Sequence, residues 1–247
     1  MSHNLEIKEG AIVVADAHYS HKRPHFLEFL RNIHSKKILC SQLILMGDIF
    51  DALFGEIPQT HKINQEAITL INEISSDTEV IYLEGNHDFN LATIFPKAKV
   101  FPISSQPVEC RMDGKKVLLS HGDIESNFGY KIYASLIRNS FVLKLLRAVD
   151  SLSNHYILKK LDLYLGEKND CKEFVGLEEF MAKRLEGKYS CDYFIEGHFH
   201  QNKILKLKDF IYINLGAFAC NQRYFIVEFK DNIHFLQEKF SQKEINT

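Results

Sequence analysis

The chain has 247 residues with a formal net charge of -2, and 45% of the residues are hydrophobic. These values predict one large α/β domain and argue against a disordered chain or a chain-wide nucleic-acid footprint. No apolar run approaches the ~20 residues that a transmembrane helix needs. Residues 1–6 lack the basic end and apolar stretch of a secretory signal, so we expect a cytoplasmic location.

The first half of the chain alternates short apolar runs with amphipathic segments. Residues 11–15, 43–46 and 80–83 are predicted to be buried strands. Helices are predicted after Pro24 and over about residues 62–74. Strands that alternate with helices indicate βαβ units and a largely parallel sheet.

The second half of the chain contains a hairpin and further short strands. Residues 108–112 and 116–119 flank an Asp-Gly pair, which is a strong signal for a two-residue turn. Residues 193–195 predict another strand, and residues 204–207, 210–214 and 224–229 predict a run of antiparallel strands. The fold class is therefore α/β, with a two-layer sheet core of mixed direction and helices outside.

Residues 126–186 interrupt this plan, because they contain no clear strand and carry apolar residues at helical intervals. Residues 126–168 hold seven Lys or Arg and three Asp or Glu, a local net charge of +4. We predict a helical cap inserted at about 126–186 into a single domain that covers residues 1–247. The alternative interpretation is a helix with an ordinary core face and a solvated basic face.

The five cysteines are scattered, and none of them has C-x-x-C spacing; they are Cys40, Cys110, Cys171, Cys191 and Cys220. An odd number of unpaired cysteines is typical of reduced thiols, not of a disulfide framework or a zinc knuckle. We therefore predict free thiols.

Five short segments of metal-ligand side chains follow predicted strands. They are Asp16-Ala17-His18, Gly47-Asp48, Gly85-Asn86-His87-Asp88, His121-Gly122-Asp123 and Gly197-His198-Phe199-His200. Each alone is compatible with an ordinary turn or helix cap. Ligands of open α/β sheets bind at the carboxyl ends of strands, so the five together are expected to converge. Mixed Asp and His donors suit a pair of divalent cations such as Mn, Fe or Zn, a device for breaking phosphate esters.

The order D-x-H, G-D, G-N-H-D, H-G and G-H-x-H resembles the calcineurin-like metallophosphoesterase superfamily, and it spans residues 16–200. The resemblance implies a two-layer β-sandwich flanked by helices, with one ion held by Asp16, His18, Asp48 and His200. It implies a second ion held by Asp48, Asn86, His121 and His198, with Asp48 bridging the two. It also implies that His87 contacts the phosphoryl oxygen or protonates the leaving group, and that Asp88 orients His87.

Within the superfamily, the chain is similar to the UDP-2,3-diacylglucosamine pyrophosphohydrolases of lipid A synthesis. The similarity lies in G-D-I-F-D at 47–51, N-H-D-F at 86–89, and a basic helical insertion that includes residues 130–152. It implies release of UMP from a lipid-linked nucleotide to leave lipid X, with manganese, at the inner face of the inner membrane. Substrate contacts are expected by position at Asn127, Tyr130, Arg138 and Arg147.

One position departs from that group, because its members commonly have Arg where this chain has His87. The departure leaves open a soluble phosphodiesterase or phosphatase that acts on a cyclic nucleotide, a dinucleotide or a phosphoprotein. A non-catalytic scaffold is the minor alternative, which is disfavoured because none of the expected ligands is missing. No nucleic-acid partner is expected.

Overall fold

Two six-stranded sheets form the centre of the protein in the computed structural model, which describes residues 5–124, 128–167, 170–230 and 232–239. The first seven strands are β1 Leu5–Glu6, β2 Ile12–Val14, β3 Gln42–Leu45, β4 Leu53–Phe54, β5 Glu79–Leu83, β6 Asp88–Phe89 and β7 Lys99–Phe101. The other seven are β8 Val108–Met112, β9 Lys115–Ser120, β10 Tyr193–Glu196, β11 Lys203–Lys206, β12 Ile211–Asn214, β13 Arg223–Lys230 and β14 Asn232–Lys239.

One sheet has the order β1-β8-β9-β10-β12-β11, the other has the order β14-β13-β2-β3-β5-β7, and β4 pairs separately with β6. The inner strands of each sheet run parallel: β2, β3 and β5 in one, and β9, β10 and β12 in the other. Their carboxyl ends therefore meet along one rim, where the loops that carry the predicted ligands begin.

The sheets pack face to face because their strands are apolar on both sides. In β3, Ile44 points into the core between the sheets, whereas Leu43 and Leu45 point to the helices outside. In β9, Leu119 points between the sheets and Leu118 points to the opposite helix layer. This alternation follows from the two-residue period of a strand. It produces the predicted two-layer sandwich flanked by helices.

Eight helices lie in the described part of the chain. They are α1 His25–His34, α2 Pro58–Ile63, α3 Gln65–Asp77, α4 Phe128–Arg138, α5 Ser140–Leu152, α6 Tyr156–Glu167, α7 Leu177–Leu185 and α8 Phe218–Asn221. Residues of α1, α3 and α8 pack on the sheet that contains β2, and residues of α7 pack on the other sheet. We call α4, α5 and α6 the cap, because they lie apart from both helix layers.

Specific polar contacts fix the helices of the cap. The side chain of Asn139 accepts hydrogen bonds from the backbone N–H groups of Phe141 and Val142 and caps α5. The carboxylate of Asp150 accepts from the N–H groups of Ile157 at 2.9 Å and Leu158 at 3.1 Å, at the start of α6. Asp150 therefore joins the end of one cap helix to the beginning of the next.

The hairpin prediction is confirmed, because Asp113 and Gly114 join β8 to β9 with φ values of 48° and 75°. The helix predicted over residues 62–74 is divided at Asn64, whose side chain donates to the carbonyls of Ala52 and Thr60. Asparagine often exchanges helical hydrogen bonds for such local bonds, and its own helix propensity is weak.

The predicted antiparallel run at the C-terminal end is wrong in part. Strands β11 and β12 do pair antiparallel, but β13 lies in the other sheet, antiparallel to β2. The helix α8 intervenes between β12 and β13. Strand β14, which was not predicted, pairs along the whole of β13. Apolar patterning identifies a strand, but it does not identify the strand's partner.

The prediction of five free thiols is also wrong, because Cys171 and Cys220 form a disulfide with a Cα–Cα distance of 5.6 Å. They are 49 residues apart, so no local spacing indicated the pairing. Cys40, Cys110 and Cys191 are free. Within the described residues, none of the helices combines the length and apolar character needed to cross a bilayer. The single domain over 1–247 stays a prediction.

Candidate metal centre

The seven predicted metal ligands lie together at the rim of the sandwich, although they come from five separate loops. Asp16 and His18 follow β2, Asp48 follows β3, and Asn86 follows β5. His121 follows β9, and the pair at 198 and 200 follows β10. The side chains form two neighbouring groups, each of which has the right atoms to hold a cation.

The first group consists of Asp16, His18 and His200, whose ligand atoms lie within 4.8 Å of one another. Asp16 Oδ1 lies 3.2 Å from His200 Nε2. Both Asp16 oxygens also accept from the backbone N–H of His198, at 3.0 and 2.9 Å. The opposite ring nitrogen of His200, Nδ1, is hydrogen-bonded to the backbone carbonyl of Asp170. The ring of His200 is therefore held at Nδ1, and its Nε2 faces Asp16.

The second group consists of Asp48, His121 and His198. His121 Nε2 lies 3.4 Å from Asp48 Oδ2, 3.2 Å from His198 Nδ1 and 3.3 Å from Asn86 Oδ1. The other nitrogen of His121 is bonded to the Met46 carbonyl at 3.0 Å. Because that bond is made on Nδ1, Nε2 is left to face the carboxylate and amide oxygens of this group.

The backbone at these loops adopts uncommon conformations. Asp16, His18, Asp48, His198 and His200 all have φ between 44° and 61°, in the left-handed region that residues other than glycine seldom occupy. Such conformations cost about 1–3 kcal/mol each and concentrate at functional sites. Their presence in all but two of the seven candidates indicates that the fold forces the side chains inward.

Two glycines allow the close approach of the ligands. A Cβ on Gly47 would lie 2.6 Å from His121 Nδ1, and a Cβ on Gly197 would lie 2.5 Å from Asp16 Oδ2. Both contacts are shorter than real Cβ contacts, so any larger residue would displace a ligand. Glycine is therefore required at these two positions because the ligand side chains leave no room for a Cβ atom.

The residues present fit a pair of cations. His18 is 1% exposed, and neither of its ring nitrogens makes a hydrogen bond within the described part of the chain. Asp16, Asp48 and Asp88 are also buried. Buried carboxylates are costly without compensating positive charge, and buried imidazole nitrogens need a donor or a metal. A pair of divalent cations would supply both the positive charge and the partner that His18 lacks.

The electrostatic field of the site also favours cations. Burial would raise the pKa of Asp48, yet the surrounding His121 and His87 lower it well below its ordinary value. Burial would lower the pKa of His200, but Asp16 and the Asp170 carbonyl raise it to about 9. Burial and the neighbouring His121 lower the pKa of His198 to about 4. Positive charge is therefore stabilised beside Asp48 and Asp16, whereas His198 favours the neutral form in which an imidazole binds a metal.

The carboxylate of Asp88 makes backbone contacts of its own, and its role toward His87 stays a prediction. Its carboxylate accepts hydrogen bonds from the N–H groups of Asp48, Ile49 and Gly85, and from the hydroxyl of Tyr82 at 2.7 Å. Asp88 thus holds two ligand-bearing loops together. Burial and the charge of Asp48 raise the pKa of Asp88 to about 7.

Asp51, which was not among the predicted site residues, contacts two of the imidazoles directly. Its backbone carbonyl is bonded to His87 Nδ1 at 3.0 Å, and its carboxylate lies 3.4 Å from His18 Nδ1. The other nitrogen of His87, Nε2, lies 3.9 Å from Asp48 Oδ2. His87 therefore presents Nε2 to the ligand cluster. The only sequence signal for Asp51 was its place three residues after Asp48.

A buried ion pair that sequence reasoning missed supports two of the ligand loops. Arg184 in α7 contacts both oxygens of Glu196, at 2.7 and 2.8 Å, and donates to the carbonyl of Gly122 at 2.8 Å. Glu196 also accepts from the Tyr212 hydroxyl at 3.1 Å. The pair joins the helix layer to the loops that carry His121 and His198. A charged residue directly before Gly197 was the available signal.

Of the four residues expected to contact the substrate, the structure describes the side chains of two, and they have different surroundings. Asn127 and the side chain of Tyr130 lie outside the described residues. Arg138 donates to Asp123 at 3.0 Å and to the Gly85 carbonyl at 3.1 Å, so it ties the cap to two ligand loops. Arg147 lines a cavity of about 430 Å³ that lies between the cap and the centre and is also lined by Asn86 and His87.

The family model described as "Calcineurin-like phosphoesterase" matches residues 11–202, which include all of the ligand loops. The chain belongs to the calcineurin-like phosphoesterase family. Its members depend on two metal ions, and the two groups of Asp and His side chains are the places that can hold them. The protein is therefore a metal-dependent phosphoesterase with the mixed α/β fold expected from its sequence.

Two curated members of the family are similar over most of the chain. A UDP-2,3-diacylglucosamine hydrolase of Pseudomonas fluorescens is 26% identical, over 80% of this chain and 81% of its own length. A protein of the same name from Psychromonas ingrahamii is 24% identical, over 92% of each chain. The solved structure of an archaeal phosphodiesterase is 14% identical over 93% of this chain and 99% of its own, with a TM-score of 0.46.

Proposed function

We propose that this phosphoesterase hydrolyses a lipid-linked nucleotide diphosphate, UDP-2,3-diacylglucosamine, to lipid X and UMP. The observation that carries the proposal is the cavity of about 430 Å³ between the cap and the metal centre. Its cap side is apolar and is lined by Leu143, Leu146, Ile157, Leu158, Leu161 and Tyr164. Its opposite side reaches Asn86 and His87. A ligand that fills it combines a phosphate group with an apolar body.

The size of the cavity suits such a ligand, since ligand sites commonly enclose about 300–1,000 Å³ and are mostly apolar with a few polar groups. The curated relatives that carry the name of this hydrolase support the proposal, because they match most of the chain. A phosphatase of small polar esters would gain nothing from an apolar cavity beside its metal ligands.

We propose that Asp16, His18, Asp48 and His200 hold one ion, and that Asp48, Asn86, His121 and His198 hold the other, with manganese as the metal. A pair of such ions activates water and offsets charge on phosphoryl oxygens when bound. Asp48 would be shared by the two ions in this assignment, and its Oδ2 lies 3.4 Å from His121 Nε2. Asn86 supplies a neutral amide oxygen 3.3 Å from His121 Nε2.

His87 has the position of the group that meets the substrate phosphate. It lines the cavity, and its Nδ1 is held by the Asp51 carbonyl, so Nε2 is the nitrogen that can donate to a phosphoryl oxygen. Arg147 lines the same cavity from α5 and supplies positive charge for a diphosphate. Arg138 is engaged with Asp123 and Gly85, so its proposed part is to hold the cap in place.

The outer face of the cap suits contact with the membrane that contains such a lipid. Phe141 is 76% exposed and Leu152 is 91% exposed, and other apolar residues of α5 and α6 are exposed beside them. Lys144, Lys159 and Lys160 lie on the same two helices. Apolar side chains with flanking lysines bind the surface of an anionic leaflet. We infer a peripheral location at the inner face of the inner membrane.

One observation, the histidine at position 87, favours a second candidate function. His87 stands where the lipid A enzymes commonly have Arg, and its contact with Asp51 gives it a firmly held position without an arginine. The second candidate is a phosphodiesterase or phosphatase that acts on a smaller ester, such as a cyclic nucleotide or a dinucleotide. Such an enzyme would use the metal centre and leave the apolar cavity without a role.

Incubation of the purified protein with UDP-2,3-diacylglucosamine, manganese and detergent tests the first proposal. We expect release of UMP, detected by chromatography, and loss of that release after chelation and dialysis. An aryl phosphodiester serves as the comparison substrate. Hydrolysis of the aryl ester without any UMP from the lipid would reject the lipid substrate and support the second candidate.

A further inference from the structure

The loop between α6 and α7 contains a contact with the metal centre that the proposed function leaves unexplained. The backbone carbonyl of Asp170, in this loop, accepts a hydrogen bond from His200 Nδ1. His121 and His87 are also bonded to backbone carbonyls, but their partners, Met46 and Asp51, lie in the segment between β3 and β4 and not next to the cap in the chain. His200 alone among these three imidazoles depends on a segment that is attached to the cap.

Two further contacts fix Asp170 in this position. Its carboxylate, which is 4% exposed, pairs with Arg23 Nη1 at 2.7 Å. Arg23 lies in the loop that follows His18, and its Nη1 is also 3.7 Å from Asp51. The ion pair therefore connects the Asp170 loop to the loop of another ligand. A nearly buried pair of this kind restricts both side chains to one geometry.

The disulfide supplies the second fixed point. Cys171 follows Asp170 directly and is bonded to Cys220 in α8. Helix α8 is itself attached to the first ligand loop, because Ala219 N donates to the Asp16 carbonyl at 3.1 Å. The covalent bond therefore connects the residue beside Asp170 to the backbone of a predicted metal ligand.

We propose that Asp170 is a positioning residue for His200, held in place jointly by Arg23 and the Cys171–Cys220 disulfide. The inference rests on the proposed assignment of His200 as a metal ligand. The Asp170 carbonyl fixes the ring so that Nε2 faces Asp16, with which it would hold the first ion. Groups that orient metal ligands in this way commonly change metal affinity about 10- to 100-fold when they are altered.

Calorimetric titration of the metal-free protein with manganese chloride tests the proposal without any measurement of activity. Wild type is expected to bind two ions. In Asp170→Ala, the affinity for one ion is expected to fall about 10- to 100-fold while the other step is unchanged. Asp170→Asn keeps an acceptor for Arg23 and is expected to recover part of the loss.

A double variant, Cys171→Ser with Cys220→Ser, tests the covalent contact separately and is expected to weaken the same step. Glu173→Ala is the matched control, because Glu173 lies in the same loop with a side chain that is 73% exposed. Its isotherm is expected to match wild type. The melting temperature of each metal-free variant shows whether the fold is retained.

Unchanged isotherms for both Asp170→Ala and the double serine variant would overturn the proposal. Equal weakening of both steps together with a lower melting temperature would also overturn it, because the loop would then serve general stability. Failure of the proposed function gives a different result. A protein that binds two ions but releases no UMP would reject the lipid substrate and leave the role of Asp170 standing.

Discussion

The metal centre and the cap differ in how far their side chains are exposed. At the metal centre, the predicted ligands are buried or half-buried, and their loops are held by hydrogen bonds to Asp88 and to the Met46 carbonyl. On the cap, large apolar residues such as Phe141 and Leu152 are exposed. A fixed polar cluster is suited to chemistry, whereas an incompletely covered apolar surface is suited to binding. In the proposed function, this difference corresponds to catalysis by the sandwich and substrate selection by the cap.

The largest effect is expected when the metal centre alone is changed. Asp48→Asn keeps the size of the side chain but removes the charge at the proposed bridging position. We expect kcat/KM to fall by about 10³-fold or more, for lipid and aryl substrates alike, because the loss acts on the ions themselves. Asp113→Asn, in the β8–β9 turn, is the control and should leave activity unchanged. Retention of a tenth of the activity would contradict the assignment.

A large effect on stability, not chemistry, is expected at the junction of α7 and the sandwich. Arg184→Met leaves Glu196 buried without its counter-charge, because the ion pair is almost fully buried. Breaking such a pair typically costs about 3–5 kcal/mol of the free energy of unfolding. Urea denaturation measures the loss, and Arg184→Met combined with Glu196→Gln should recover part of it. If the free energy of unfolding fell by no more than about 1 kcal/mol, as for a surface ion pair, the prediction would be wrong, because water would then be solvating Glu196.

A smaller effect, confined to one substrate, is expected when the cap alone is changed. Leu146 lines the cavity and is 40% exposed, so Leu146→Glu places a charge there without opening the core. Burying a charge beside an acyl chain should raise KM for the lipid about tenfold and leave aryl phosphate hydrolysis unchanged. Val175→Glu, at a position 86% exposed and outside the cap, is the control. An equal loss of activity on the lipid and on the aryl phosphate would contradict the separate roles of the sandwich and the cap.

The smallest effect is expected at β5, away from both regions. Burial would raise the pKa of Glu79, but Lys99, Lys8 and Gln42 lower it to about 2 from an ordinary value of 4.5. A lowered pKa stabilises the fold above pH 4.5, and that contribution is lost as the pH falls towards 2. Glu79→Gln should cost about 1 kcal/mol at neutral pH, since salt bridges near the surface are weak.

Thermal melting measured across this pH range checks the sign of the Glu79 effect. The difference between wild type and Glu79→Gln should shrink as the pH falls below 4.5 and vanish near 2. Glu109→Gln removes the exposed pair with Lys116 and should have less effect at every pH. A difference that grows in acid would contradict the lowered pKa. Activity should be unaffected, because neither the metal centre nor the cap is changed.

The sequence by itself determined the parts of this protein that depend on local pattern. Short apolar runs predicted the strands, Asp113-Gly114 predicted the hairpin, and the residues after each strand predicted the ligands. Those ligands converge because parallel strands place their carboxyl ends along one rim. The helical character of residues 128–167 was likewise visible in the spacing of its apolar residues.

Only the tertiary structure decided the contacts between distant segments. No local pattern showed that β13 pairs with β2, that Cys171 is bonded to Cys220, or that Glu196 pairs with Arg184. Each contact joins side chains or strands whose meeting depends on the packing of whole layers. For the same reason, the contacts that Asp88 and Asp51 make could not be foreseen. Residue type shows what a side chain can bind, whereas distance and direction decide what it does bind.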